Sequence, residues 1–197
     1  MFVAPGAPAV LGDGLGAARV DAPAVAAACV LAAVTGELTE APAAALVSLA
    51  DAVALSPGLA LAARDRCPLI VLTEAHADAA LLAPLVKARL ALLPAPATTL
   101  ARARALALAD PRGPVHVACD GALSIPPATA EAAGPSAPTP EALEGFAAVL
   151  ARAARPVLVT GLECGAGDAA WVRALAESLP APVLATTKGR GVLPEPH

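Results

Sequence analysis

Aromatic side chains are almost missing from this chain: Phe2, Phe146 and Trp171 are the full set, and neither tyrosine nor asparagine occurs. There is thus no aromatic platform on which bases could stack. With 13 Lys+Arg against 17 Asp+Glu, the net charge is −4, so the chain also lacks the basic footprint that nucleic acid requires. Cysteine is sparse: Cys29, Cys67, Cys119 and Cys164 form no Cys-x-x-Cys pair and lie in apolar neighbourhoods. That pattern points to buried free thiols in a reducing cytoplasm rather than to disulfides. His76, His116 and His197 show neither H-x-x-x-H nor H-E-x-x-H spacing, so no metal site is expected. Ser48, Ser56 and Ser124 lack the G-x-S-x-G elbow of a hydrolase. No basic segment precedes the first apolar residues, as a signal peptide would require. The apolar stretch 41–63 is broken by Pro42, Asp51, Pro57 and Gly58, which favours a buried helix pair over a membrane span of about 20 unbroken apolar residues.

What is present is small and aliphatic: 57% of the residues are hydrophobic, and the mean hydropathy is +0.69. The clearest architecture lies in 155–197. Pro156-Val157-Leu158-Val159-Thr160-Gly161 reads as a strand buried on both faces. Asp168 opens a helix whose apolar stripe is Trp171, Val172, Leu175, Ala176 and Leu179. Pro182-Val183-Leu184-Ala185-Thr186-Thr187 is a second buried strand. Strand, helix, strand within about thirty residues is a βαβ unit and implies a parallel sheet covered on both sides.

Upstream, Met1 to Gly6 looks like the tail of a strand running into a turn, with an earlier segment expected before it. Residues 24–34 form an Ala-rich buried helix ended by Thr35-Gly36. Residues 43–49 fit strand or helix equally. A helix with Pro57 at its start runs to Arg66, and 67–73 is a strand. A helical patch surrounds Leu81 to Val86. Thr98 caps a helix to Ala109 with Leu100, Ala103, Leu106 and Ala107 inward, and 115–119 is another strand. Residues 126–140, rich in Pro, Ala, Ser and Thr, read as a linker, and 141–153 as an amphipathic helix.

Two strings could bind anions. Gly165-Ala166-Gly167-Asp168-Ala169-Ala170 matches G-x-G-x-x-A, but its glycines trail the strand and no acid follows about 20 residues on, so a loop with a helix cap is the simpler reading. Lys188-Gly189-Arg190-Gly191 follows a strand end and reads as an anion site or a solvated loop. His116, inside an apolar strand, is simplest as a hydrogen-bonded core residue. Composition and spacing by themselves lead to a soluble α/β protein.

A set of local strings, taken in order, resembles the first half of thiamine diphosphate-dependent enzymes of the acetolactate synthase and 2-oxo acid decarboxylase type. Phe2, Pro5 and Gly6 match V-F-x-x-P-G; Thr35-Gly36 matches A-x-A-T-G; Gly58, Ala60, Asp65 and Pro68 match G-x-A-x-A-x-x-D-x-x-P. Lys87 fits V-T-K, Gly113-Pro114-Val115-His116 fits P-G-P-V-H, and Asp120 falls where P-x-D follows. Arg155-Pro156-Val157, Gly161 and Leu175-Ala176-Glu177 match the central domain. So, more loosely, do Pro182-Val183, Thr187, Lys188, Gly189, Gly191 and His197.

The resemblance implies a three-layer, Rossmann-like α/β fold with parallel sheets. It divides the chain into a pyrimidine-binding-type domain at 1–125, shortened at its N-terminus, a linker at 126–140, and a partial central domain at 141–197. It implies thiamine diphosphate with Mg²⁺ as cofactor. In the family, a strand-end glutamate hydrogen-bonds the cofactor's aminopyrimidine and promotes the tautomer that removes the thiazolium proton. Counting back from Thr35-Gly36 places that position at Asp21, preceded by Val20 where His is usual. Aspartate is one methylene shorter, and a misplacement of about 1 Å can cost about 10²-fold in rate. The family's G-P-G loop falls at Leu49-Ala50-Asp51, without its glycines. The diphosphate and metal motif, G-D-G…N, belongs to a third domain; Gly12-Asp13-Gly14 imitates it in the wrong one.

The expectation is therefore a partial or degenerate enzyme of this type. It would contribute Asp21 and 49–51 to the pyrimidine side of a cofactor site, hold no metal itself, and be inactive alone. It would act as a homo-oligomer or with a chain that supplies a diphosphate-binding domain, with neither nucleic acid nor membrane as partner. The competing expectation is a non-catalytic truncated paralogue serving as an interaction or structural module.

Overall fold

The computed structural model describes residues 1–5, 7, 18–48, 53–74, 79–119, 137–179 and 181–193. The chain divides into two compact units, Met1–Pro135 and Ser136–His197.

The first unit is an α/β fold of three layers. Its strands are β1 (Phe2–Val3), β2 (Val20–Asp21), β3 (Ala43–Val47), β4 (Leu69–Thr73), β5 (Ala88–Ala91) and β6 (Val115–Ala118). They form one six-stranded sheet in the order β2-β1-β3-β4-β6-β5, with every pair parallel. The central strand, Leu69-Ile70-Val71-Leu72-Thr73, is buried along its whole length because it has a neighbour layer on each face. Alternation sends Leu69 and Val71 to one face, with Cys29, Leu59 and Leu82, and Ile70 and Leu72 to the other, with Leu100, Ala103 and Val117. The first face is covered by helices α1 (Val25–Thr39) and α2 (Ser56–Arg64), the second by α4 (Pro96–Leu108). A short α3 (Ala79–Leu82) runs into a 3-10 turn at Ala83–Leu85.

Small residues bring these layers close. Within α1, Ala28, Cys29, Ala32, Ala33 and Gly36 are buried. A Cβ on Gly58 would stand 2.6 Å from both Cβ and Sγ of Cys29, so α2 can approach α1 only through a glycine. Gly36 has a comparable role: a Cβ there would lie 2.5 Å from the Pro68 carbonyl oxygen. This corrects the expectation that Thr35-Gly36 ends the helix, which runs on to Thr39 and stops at Glu40 in the left-handed conformation (φ 53°). The glycine is there for close approach, not for termination.

Helix α4 also starts earlier than expected. Pro96 lies in its first turn, where a missing N–H costs nothing, and no side chain caps it. Thr98 is therefore not the cap, and Thr99 Oγ1 donates to the Ala91 carbonyl at 3.3 Å. The other end is capped by Lys87, whose Nζ donates to the carbonyls of Leu106 (2.8 Å) and Ala109 (2.6 Å). Strand β5 has no counterpart in the sequence reading, and β2 enters it only through the strand end that the resemblance places at Asp21. Each is a short, partly exposed edge carrying a charged residue, Asp21 or Arg89, so neither shows an apolar run.

The second unit contains α5 (Pro140–Arg152), β7 (Leu158–Thr160), a 3-10 turn (Ala166–Asp168), α6 (Ala169–Ser178) and β8 (Val183–Ala185). Strands β7 and β8 pair in parallel, as the βαβ reading requires. Their burial does not follow it: Val159 is 62% exposed and Leu184 58%. An apolar strand is buried only when a second layer covers it. Among the described residues of this unit the buried apolar ones are Val172, Ala176 and Val192, and Thr160 is buried as well. Trp171, expected on the inward stripe of α6, is also exposed. Helix α5 begins on Thr139, whose Oγ1 accepts from the Ala142 amide at 3.3 Å, and buries none of its residues. Among the described residues no helix is long and apolar enough to cross a membrane; the stretch 41–63 holds β3 and most of α2, a strand and a helix where a helix pair was expected.

Candidate functional site

A parallel sheet gathers the carboxyl ends of its strands along one edge. Ligands settle there where successive connections leave in opposite directions. In this sheet that point lies between β1 and β3: from β1 the chain goes to β2 on one side, and from β3 to β4 on the other. Val3 is the pivot of the crevice, paired with Asp21 on one side and Leu46 on the other. Since neighbouring strands lie about 4.8 Å apart, the backbones of Asp21 and Leu46 face each other across roughly twice that distance. Backbone hydrogen bonds hold the frame: Ala22 N to Val3 O at 2.8 Å, Val20 N to Met1 O at 2.9 Å and Ala4 N to Leu46 O at 2.9 Å.

Asp21, singled out from the sequence, stands at the carboxyl end of β2 with its side chain 74% exposed. Arg19 reaches it from two residues back, and both guanidinium contacts, at 2.9 Å, fall on Oδ1. Among the described residues Oδ2 accepts no hydrogen bond. The other expected site residues, Leu49, Ala50 and Asp51, lie outside the described residues, as do Gly12-Asp13-Gly14, His76, Asp120 and His197. Leu49, Ala50 and Asp51 follow Val47, the last residue of β3, by two to four positions in sequence.

Further along the sheet, His116 Nε2 and Thr73 Oγ1 are 2.9 Å apart, each residue only 2% exposed. The core-histidine reading holds, and Thr73 is the partner that the sequence reading did not name; a polar residue closing an apolar strand was the available signal. Burial pushes the Cys29 thiol up to about 12, so it stays protonated and unreactive. Cys67 and Cys119 are buried too, whereas Cys164 is only half-buried, against expectation. The Cys67 thiol donates to Glu37 Oε2 at 3.7 Å.

Neither glycine string of the second unit forms an anion cradle. The Gly165 amide donates to Asp168 Oδ2 at 2.8 Å and Trp171 Nε1 to Asp168 Oδ1 at 2.9 Å, so the loop closes on its own carboxylate. The Gly189 amide donates to the Thr186 carbonyl (3.0 Å) and approaches Thr186 Oγ1 (3.3 Å). A Cβ at 189 would collide with the Thr160 carbonyl, which explains that glycine by packing. Among the described residues no three His, Cys, Asp or Glu side chains gather as metal ligands do.

The first unit is thus an open, parallel α/β sheet with a carboxylate at its carboxyl edge, and known proteins share that fold. No family model matches the chain, and no curated protein matches it in sequence. Solved structures do. The chain is similar over 100% of its length to a candidate thiamin diphosphate-dependent enzyme from Mycobacterium smegmatis, with 27% identity and a TM-score of 0.74, covering 43% of that protein. It also shares the fold of benzoylformate decarboxylase from Polynucleobacter necessarius, with 22% identity and a TM-score of 0.76, again over 100% of its own length and 42% of that chain. The chain thus spans less than half the length of either structure. The first neighbour is described as thiamin diphosphate-dependent, which supports the resemblance read from the sequence, and the second supports the fold.

Proposed function

We propose that the first unit supplies the pyrimidine side of a thiamine diphosphate site, in a protein of the acetolactate synthase or 2-oxo acid decarboxylase type. The observation that carries this reading is the place of Asp21: a carboxylate at the carboxyl end of a parallel strand, beside the β1/β3 crevice, where the family pattern has its glutamate. The residue suits the group. Its side chain is exposed, Arg19 engages Oδ1, and a carboxylate's second oxygen can accept from a ring N–H of an aminopyrimidine. When bound, thiamine diphosphate supplies a thiazolium carbon that adds to 2-oxo acids. The part of Asp21 is to accept the pyrimidine's hydrogen bond and fix the ring's protonation, and residues 49–51 are proposed to line the same crevice.

The diphosphate and Mg²⁺ are assigned to residues outside this unit, contributed by a partner surface. Helix α1 offers a surface for such a partner, since Leu31, Val34 and Leu38 recur on one side of it and are exposed, Leu38 to 78%. The Arg19–Asp21 pair favours a second reading, a non-catalytic interaction module, because the guanidinium already occupies Oδ1 from within the chain.

Calorimetric titration of thiamine diphosphate with Mg²⁺ into the full chain separates the two. A hydrogen bond to a charged acceptor contributes about 1.5–3 kcal/mol, so Asp21→Ala should weaken binding by at least about tenfold while Arg19→Ala leaves it intact. Binding that is equally tight in native chain and Asp21→Ala rejects the cofactor reading.

A further inference from the structure

At the far end of the first unit's sheet, away from the β1/β3 crevice, the β5–β6 pair borders a half-open cavity of about 160 Å³ lined by Arg89, Leu90, Ala91, His116 and Ala118. Register explains its chemistry. Arg89 pairs with His116, which pairs in turn with Val71, so these three side chains share one face of the sheet. Thr73, two residues beyond Val71, lies on the same face and holds the imidazole at 2.9 Å. The wall therefore has one fixed, buried polar ring and, beside it, one guanidinium on an exposed edge strand. Among the described residues no carboxylate pairs with Arg89, and none lines the cavity.

From this we infer that the cavity binds a small carboxylate anion, with the guanidinium of Arg89 forking its two oxygens and His116 forming the polar floor. Three considerations select that class. Among the described residues the only formal charge on the wall is positive. A guanidinium presents two parallel N–H donors that match a planar carboxylate. One cation beside an imidazole balances a monoanion better than a dianion such as phosphate. The space exceeds the ~10–15 Å³ that one water needs, so an acid of a few heavy atoms fits. This site is independent of the cofactor reading: it uses neither Asp21 nor the β1/β3 crevice.

The test is a titration of the full chain with sodium acetate at constant ionic strength, following the imidazole proton resonances by NMR. Comparison with His76→Gln and His197→Gln assigns the His116 signal. A saturable shift of His116 with a dissociation constant of millimolar order, abolished in Arg89→Ala and weakened several-fold in Arg89→Lys, is the expected result. Arg89 is exposed, so both variants should keep the native circular dichroism spectrum and melting temperature. Phosphate saturating at lower concentration than acetate would overturn the carboxylate assignment. No saturable shift with either anion, or the same shift in Arg89→Ala, would overturn the site.

Discussion

Gly58→Ala tests the packing argument most directly. The new Cβ would lie 2.6 Å from Cys29 Cβ and Sγ and 3.1 Å from the Cys29 carbonyl carbon. Carbon atoms prefer about 3.5–4.0 Å, so α2 must retreat from α1 by roughly 1 Å or carry the strain. Overpacking of this kind costs about 1–3 kcal/mol. Alanine recovers up to about 1 kcal/mol of helix propensity, and less in a first turn. The net loss is therefore about 1–2 kcal/mol, or a Tm drop of about 3–8 °C at this chain length. Thermal melts of native chain, Gly58→Ala, Cys29→Gly and the double variant complete a cycle. In the Cys29→Gly background the added methyl meets no side chain, so its penalty should shrink by at least about 0.5 kcal/mol. Gly145→Ala is the control of opposite sign: it lies inside α5 with nothing within 4 Å of its Cβ, and should stabilise that helix. If Gly58→Ala melts no lower than native, or if the two sites show no coupling, close approach is not the reason for the glycine.

Other consequences can be measured as directly. The Cys29 thiol, raised by burial from 9.0 to about 12, holds its proton in the folded state after the unfolded chain has lost it. Its contribution is therefore complete below about pH 9, and stability should fall by up to about 1.4 kcal/mol per pH unit between about 9 and 12. Chemical denaturation across that range should show the slope, and Cys29→Ala should flatten it. Thr73→Val takes away the hydroxyl that meets His116 Nε2 and should cost about 1–3 kcal/mol in the same denaturation assay. Finally, the chain purified alone should turn over no pyruvate with thiamine diphosphate and Mg²⁺. Turnover by native chain that vanishes in Asp21→Ala would overturn that expectation and make Asp21 the working acid.

Periodicity and composition revealed the elements that are buried on both sides. β4 and β6 are near-continuous apolar runs because helices cover both faces of the sheet, and such runs need no alignment to be noticed. Edge strands escaped for the complementary reason. β5 reads Ala-Arg-Leu-Ala, half in contact with water, and β2 is two exposed residues long. In β7 and β8 the pattern announced burial that the second unit's own layers do not provide, because sequence records what a face would favour and not what covers it. At the candidate site, counting residues found Asp21, but its relation to Val3 and Leu46 comes only from a register that joins segments distant in the chain. The Arg89–His116 neighbourhood was invisible on the same ground: 27 positions separate two side chains that stand side by side.

The two-residue ladder that holds Asp21 gives the candidate site a particular thermodynamic character. A few hydrogen bonds tie Val20 to Ala22 onto β1, and β1 itself has two residues, so this margin of the sheet should open with far less free energy than β4 at its centre. Amide exchange should then be fast at Val20 and Ala22 and slow at Val71 and Leu72. A ligand that grips Asp21 must first be met by an ordered margin. Part of its intrinsic affinity is absorbed in closing that segment, and the observed affinity falls in proportion to the closed fraction. The reverse also holds: a ligand seated on Asp21 would slow exchange at Val20 and Ala22 selectively, leaving the core amides unchanged. The local opening of one sheet edge thus becomes a reporter of occupancy.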